Sequence, residues 1–153
     1  MLDIVILTVG KIKESYYVEA ASEYLKRLKP YARVLFEEIK PESFSESTHT
    51  SAKKIEGERI INILQRYRGA EILLLDESGQ EFDSLEFSNK LNKVPGKIVF
   101  VIAGSLGWDK KIFDGYKRFS LSKFTFPHEL ARVVLLEQIY RAATIIAGKI
   151  YHY

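Results

Sequence analysis

The sequence contains no cysteine, which excludes disulfide bonds and thiolate metal sites. Its only histidines, at positions 49, 128 and 152, lie too far apart along the chain for a zinc motif, so we expect no metal ion. No stretch has the length and apolar character of a membrane span, and residues 1–9 lack the basic start of a signal peptide. We therefore predict a cytoplasmic protein with no membrane partner.

The common nucleotide-binding motifs are also missing. No G-x-x-x-x-G-K-[ST] sequence occurs, which excludes an ordinary P-loop. The first turn, at Gly10-Lys11, lacks the G-x-G-x-x-G pattern and the acidic residue expected about 20 positions later. Nicotinamide or flavin binding at that turn is therefore not expected.

What the sequence has is a regular alternation of buried strands and amphipathic helices. Near-continuous apolar runs predict strands at residues 2–9, 32–39, 71–75, 97–103 and 119–121. Helical spacing and capping signals predict helices at residues 16–29, 51–68, 83 to about 94, 109–117 and from Pro127 onward, with a turn at residues 77–81. The connections are too long for hairpins. We predict one α/β domain over residues 1–153, a parallel sheet with helices on both faces.

The helix that follows Pro127 is apolar almost all the way round. Between Leu130 and Ala147, no gap between its apolar side chains exceeds roughly 60° at about 100° per residue. A helix without a polar face must be covered on both sides. One side can face the chain's own sheet, and we expect a second copy of the chain to cover the other.

Ligands of an open parallel sheet bind beyond the carboxyl ends of its strands. Three such ends carry candidate residues: Leu75-Asp76, the Gly-containing turn at residues 103–108, and the aromatic and hydroxyl-bearing run at residues 121–126. Each also has an ordinary structural interpretation. The aspartate can be solvated, the glycines can serve a simple turn, and Phe124 and Phe126 can pack in the core.

Positive charge is concentrated in the same part of the chain. Residues 104–153 hold eight Lys and Arg against four Asp and Glu, whereas residues 1–103 hold fifteen against sixteen. This favours an anionic partner at the C-terminal third, although a basic solvated surface explains the charge equally well. Arg132 has no clear local partner except Glu129, whereas Arg141 can pair with Glu137 four residues earlier.

Several segments together resemble a known family. They are FVIAGSLGW at residues 100–108, LSKFTFPHELAR at 121–132, LLEQIYRA at 135–142, KKIEGERI at 53–60 and the Tyr-His pair at 151–152. The chain is similar to SPOUT-class α/β-knot methyltransferases, and within them to the ribosomal RNA large subunit methyltransferase H family. The resemblance implies a C-terminal trefoil knot, a homodimer and S-adenosylmethionine as methyl donor. It further implies methylation of N3 of a pseudouridine in the helix 69 loop of 23S rRNA, in the large subunit or the assembled ribosome.

The resemblance also implies roles for individual residues. The donor would be bound by nine residues: Leu75, Ala103, Gly104, Leu121, Ser122, Lys123, Phe124, Thr125 and Phe126. On chemical grounds, and not from the resemblance, we expect His152 and Arg132 to be catalytic and His128, Arg141 and Tyr151 to contact the RNA. The chain departs from the family pattern at Ala103, where members usually have glycine, and at Tyr153, where members often have a basic residue.

Two other functions remain open at this stage. One is a non-catalytic dimer of the same fold that binds the ribosome. The other is a knot methyltransferase that acts on tRNA, against which the lack of an added RNA-binding segment argues.

Overall fold

A computed structural model describes residues 1–152 of the protein. It contains five strands and four α-helices, in the order β1 (Leu2–Val9), α1 (Ser15–Leu28), β2 (Ala32–Ile39), α2 (His49–Leu64), β3 (Glu71–Glu81), α3 (Ser84–Lys93), β4 (Lys97–Ile102), β5 (Arg118–Ser120) and α4 (His128–Ile146). All strands pair in parallel, in the spatial order β2-β1-β4-β3-β5. The predicted α/β class and parallel sheet are therefore confirmed.

Both faces of the sheet are covered, as the continuous apolar strands require. On one face, side chains such as Ile4, Ile6 and Phe100 pack against α1, α3 and α4. On the other face, the alternate residues of the same strands, such as Val5 and Leu7, pack against α2 and the β4–β5 connection. No helix within residues 1–152 has the length and apolar character needed to cross a membrane.

The helix predicted over residues 109–117 is wrong, because the segment forms only turns. Asp109 does cap the backbone, accepting bonds from the N–H groups of Lys111 and Ile112 at 3.0 Å each. A single helical bond follows, from the N–H of Phe113 to the carbonyl of Asp109. Gly115 then adopts a φ of 80°, which ends the turn before a second helical bond can form.

The turn predicted at residues 77–81 is also wrong, because β3 continues through it to Glu81. The strand bulges instead: both Leu75 and Gln80 pair with Phe119, and the residues between them loop out of register. Gly79 makes this possible, since a Cβ there would lie 2.6 Å from the backbone nitrogen of Phe119.

Candidate functional site

A cavity of about 350 Å³ lies beyond the carboxyl ends of β3, β4 and β5. Its walls come from residues 75–77, from the β4–β5 connection at residues 102–108, and from the segment between β5 and α4. Eight of the nine residues predicted to bind the donor line it, namely Leu75, Ala103, Gly104, Leu121, Ser122, Phe124, Thr125 and Phe126. Lys123 is exposed and is not part of the wall, whereas His128 is.

Hydrogen bonds of two carboxylates and an indole connect the β3 side of the cavity to its other walls. Asp76 binds Arg118 at 2.5 Å and accepts bonds from the N–H and hydroxyl of Ser78. Burial raises the pKa of Asp76, but the bonds from Ser78 and Arg118 outweigh it and leave the pKa below its ordinary value. Glu77 accepts a bond from the Thr125 hydroxyl, and Trp108 Nε1 donates to the Leu75 carbonyl at 3.0 Å. The sequence placed Trp108 within the candidate turn at residues 103–108 but gave its side chain no role of its own.

The segment that joins β5 to α4 has a shape set by serine side chains. Ser120 Oγ donates to the Ser122 carbonyl at 2.7 Å, and Ser122 Oγ accepts from the Phe124 N–H at 3.1 Å. Phe124 is 81% exposed, so the interpretation that it packs in the core is wrong, whereas Phe126 is half-buried. An exposed phenyl ring at a cavity rim is available to a flat ligand.

Gly104 lines the cavity and packs closely against Val9 and Glu56. A Cβ at Gly104 would lie 3.0 Å from Cγ1 of Val9 and 3.4 Å from Oε1 of Glu56. A larger residue would therefore require Val9 and Glu56 to move by a few tenths of an ångström, so the protein's own packing favours glycine here. The neighbouring Ala103 has room for its methyl group and contributes to the cavity wall.

The first turns of α4 are fastened to the loop after β1. Glu129 accepts bonds from the backbone N–H groups of Lys13 and Glu14, the second at 3.3 Å. Arg132 donates to the carbonyl of Gly10 at 3.0 Å and lies 3.9 Å from a carboxylate oxygen of Glu38.

The Arg132 side chain lies beneath this loop, outside the cavity wall. Its residue is only 4% exposed, and this burial lowers the pKa of its guanidinium. Its Nε atom has no hydrogen-bond partner within the described residues.

The other predicted contact residues form a cluster near the end of α4. Arg141 binds Glu137 at 2.7 Å, contacts His152 Nδ1 at 3.1 Å and lies 4.8 Å from the ring centre of Tyr151. The Tyr151 hydroxyl also donates to Glu137, at 3.2 Å. The hydrogen bond to Glu137 raises the pKa of Arg141, while burial and then Glu137 raise the pKa of Tyr151. Tyr153 lies outside the described residues.

The structure therefore divides the predicted site into two groups within one protomer. His128 lies at the cavity, but Arg141 lies thirteen residues further along α4, about 20 Å at 1.5 Å per residue. Tyr151 and His152 accompany Arg141 and not the cavity. No group of three or more potential metal ligands is found among residues 1–152.

Comparisons with known proteins give a consistent result. A family model described as "Predicted SPOUT methyltransferase" matches residues 2–152. The chain is 41% identical to "Ribosomal RNA large subunit methyltransferase H" of Ruminiclostridium cellulolyticum, covering 99% of each chain. It is 36% identical to the protein of the same name from Kosmotoga olearia, covering 99% of this chain and all of that one.

Among solved structures, the fold is similar to that of the tRNA (m1G37) methyltransferase from Aquifex aeolicus. The TM-score is 0.55 at 14% sequence identity, over 92% of this chain and 69% of that one. At that identity the likeness concerns the fold alone. The chain belongs to the SPOUT methyltransferase family, and within it to the ribosomal RNA large subunit methyltransferase H family.

Proposed function

We propose that this protein is a cytoplasmic, S-adenosylmethionine-dependent methyltransferase that acts on 23S rRNA. Its proposed target is N3 of a pseudouridine in the helix 69 loop of the large ribosomal subunit. The observation that carries this proposal is the cavity at the carboxyl ends of β3, β4 and β5, lined by the residues that match the family's donor-binding segments. The relatives named as large-subunit rRNA methyltransferases support the substrate class.

The cavity has properties that suit a cationic sulfonium donor. Its volume of about 350 Å³ is within the range typical of small-molecule sites. The carboxylate of Glu77 supplies negative charge, since that of Asp76 is already paired with Arg118. Leu75, Ile102 and Leu121 supply apolar walls for a purine ring. The bound donor would supply an electrophilic methyl group. We further propose that the segment between β5 and α4 belongs to a trefoil knot.

The distant cluster at the end of α4 supports a homodimer. Arg141 lies ten residues, about 15 Å, along α4 from Ala131, the last helical residue that lines the cavity. Tyr151 and His152 pack against Arg141, so we infer that this cluster does not touch a base bound in the cavity of its own protomer. A second copy placed across α4 would bring its own cluster to the first copy's cavity. A two-fold arrangement would build both sites from the same pair of surfaces.

The outer face of α4 is suited to such an interface. Leu130, Val134 and Ile145 are only half-buried in the single protomer, and Ile146 is exposed. In the proposed dimer, Arg141 binds RNA phosphate or a base carbonyl and Tyr151 stacks on the flipped base. His152, held by Arg141, is the proposed base for the N3 proton, and His128 contacts the substrate at the cavity. Arg132 acts by positioning the loop at Gly10.

The proposal is tested by mass spectrometry of 23S rRNA from cells with and without the gene. We expect one methylated pseudouridine in the helix 69 loop to disappear when the gene is removed and to return when it is restored. An unchanged rRNA with an altered tRNA would instead support the tRNA methyltransferase. Failure of the purified protein to bind S-adenosylmethionine in a calorimetric titration would support the non-catalytic dimer.

A further inference from the structure

A second, larger cavity of about 770 Å³ lies beyond the carboxyl ends of β1, β2 and β4. It is bordered by the loop after β1, the segment after β2 and one residue of α2, Glu56. It meets the first cavity at Gly104, Ser105 and His128, which line both. The two cavities are therefore neighbours that share one wall.

This position suits the acceptor of a methyl transfer. Transfer requires the acceptor atom to lie about 3–3.5 Å from the methyl carbon, so the acceptor site must open onto the donor site. We call the first cavity, beyond β3, β4 and β5, the donor cavity. Of the cavities described within residues 1–152, one other shares a lining residue with it, Leu121. Its volume is about 50 Å³. Small-molecule sites typically have about 300–1,000 Å³, so no nucleoside fits there.

The walls of the larger cavity offer the groups that a nucleotide requires. Lys11, Lys13 and Lys40 are exposed around its rim, where they can bind phosphates. Phe44 is 51% exposed at the same rim and offers an aromatic face for base stacking.

Glu56 is the buried polar group of this cavity. The residue is 6% exposed, and its Oε2 accepts the backbone N–H of Glu42 at 2.9 Å. Arg59, on the next turn of α2, binds the Lys40 carbonyl and Glu42 instead. The other oxygen, Oε1, lies on the Gly104 side, and no donor to it is found in the part of the chain that the structure describes. The residue as a whole is buried, but Oε1 is not among its fully buried atoms, so this oxygen is open to a ligand in the cavity. A carboxylate oxygen that receives no donor from the protein and borders a cavity marks a candidate ligand contact.

We propose that the larger cavity holds the acceptor nucleoside and that Glu56 Oε1 accepts a hydrogen bond from N1–H of its pseudouridine base. This inference rests on the proposed function, which directs N3 of the base to the donor. An ionised carboxylate only accepts hydrogen bonds, so its partner must be a donor. In pseudouridine the sugar is attached at C5 and N1–H is free, whereas uridine has a C–H group at the equivalent position. Glu56 is therefore a specificity-determining residue that distinguishes pseudouridine from uridine.

Glu56→Gln is an informative variant because it keeps the volume and removes one acceptor. The carboxylate can accept from both the Glu42 N–H and N1–H, but an amide presents one oxygen and one NH₂ group. One of the two donors must then face the NH₂ group. The matched control is Glu58→Gln, the same change at an exposed position on the same helix.

The experiment measures single-turnover methylation of ribosomes that carry pseudouridine, uridine or 1-methylpseudouridine at the target position. For the wild type we expect uridine and 1-methylpseudouridine to react about 10- to 100-fold more slowly than pseudouridine, the range for one charge-assisted hydrogen bond. Glu56→Gln should slow pseudouridine by a similar factor and leave uridine nearly unchanged. Its calorimetric affinity for S-adenosylmethionine should stay within about twofold of wild type, since Glu56 does not line the donor cavity.

The outcomes separate this inference from the proposed function. A wild type that methylates none of the three ribosomes would overturn the proposed function, and the role of Glu56 with it. A wild type that methylates pseudouridine and uridine equally would overturn the role of Glu56 alone, and this result needs no variant. The same holds if folded Glu56→Gln retains the full preference for pseudouridine.

Discussion

The two ends of α4 use charged residues in opposite ways. At the start, Glu129 and Arg132 bind the loop after β1, and Arg132 is almost completely buried. Towards the end, Arg141 is about a quarter exposed at its side chain and joins Glu137 and His152 near the surface. The first pair is used within the protomer, whereas the second group lies outside both cavities described above.

The buried charges at the start of α4 stabilise the fold, whereas the partly exposed charges near its end are accessible to a substrate. A buried arginine bonded to backbone is costly to disturb, because its removal leaves a carbonyl and a cavity behind. A partly exposed ion pair contributes little to stability. The charged residues at the start of α4 therefore hold the helix to the loop after β1, whereas those near its end remain available for the role proposed for them at a partner's cavity.

Among these variants, Arg132→Ala should cause the largest loss of stability. A small loss would contradict the structural role assigned to the start of α4. We expect it to lower the free energy of unfolding by about 3 kcal/mol, since it empties a buried site and leaves the Gly10 carbonyl with only the Thr8 hydroxyl as a donor. Urea unfolding followed by circular dichroism measures the change. Arg141→Ala is the matched control and should cost less than about 1 kcal/mol. Equal losses for the two arginines would contradict the assignment.

Arg141→Ala and His152→Ala should show the reverse behaviour, with nearly normal stability and poor methylation. We expect single-turnover rates to fall about 100-fold, the lower end of the effect of removing a positioned acid or base. Lys149→Ala, an exposed change between the two, is the control. Full rates in both variants would remove the cluster from the proposed site.

The same variants can show whether the cluster serves the partner's cavity. Thr125 lines the donor cavity, and we expect Thr125→Trp to block it. When this chain is mixed equally with an Arg141→Ala chain and exchange is complete, about half of the dimers are mixed, each with one intact site. Activity should then recover to about a quarter of wild type. No recovery in mixtures shown to contain mixed dimers would contradict a shared site.

Much of the fold could be predicted from sequence because its determinants are local. Continuous apolar runs identified all five strands, and Pro127 marked the start of α4 within one residue. The two errors, at residues 77–81 and 109–117, have different causes. At residues 77–81 the strand continues because Gly79 approaches the backbone of Phe119, a distant contact that no pattern within the segment reports. At residues 109–117 the positive φ of Gly115 ends the turn, a conformation that glycine permits but does not by itself predict.

The site was predictable to a different degree. Its donor-binding residues came from resemblance, and eight of nine line one cavity, although their contact with a donor stays a prediction. The partner of Arg132 lies 122 positions away, at Gly10, so a search for nearby carboxylates could not find it. Glu56 went unnoticed because a glutamate on a helix is ordinarily solvated, and only the fold places it against Gly104.

Gly104→Ala tests how tightly the wall between the two cavities is packed. The added methyl group would meet Val9 at 3.0 Å and Glu56 at 3.4 Å, so the wall between the two cavities must shift. We expect a loss of about 1–3 kcal/mol in stability, typical of overpacking, with weaker binding of S-adenosylmethionine in calorimetry. Gly96→Ala is the control, because no atom lies within 4 Å of its added Cβ. Unchanged stability and affinity in Gly104→Ala would contradict this expectation and show that Val9 and Glu56 can move aside at no measurable cost.

The Asp76 carboxylate, in the wall of the donor cavity, should contribute stability that depends on pH. This is the smallest of the expected effects. Its folded pKa is below the ordinary value of 3.8, so the stabilisation is complete above that value and is lost as the pH falls through the lowered folded pKa. Asp76→Asn should therefore lose about 1 kcal/mol at pH 7 and converge with wild type in strong acid. Urea unfolding at a series of pH values measures the slope, with exposed Asp114→Asn as the control. Parallel curves for wild type and Asp76→Asn would show that Arg118 and Ser78 do not stabilise this wall through the charge of Asp76.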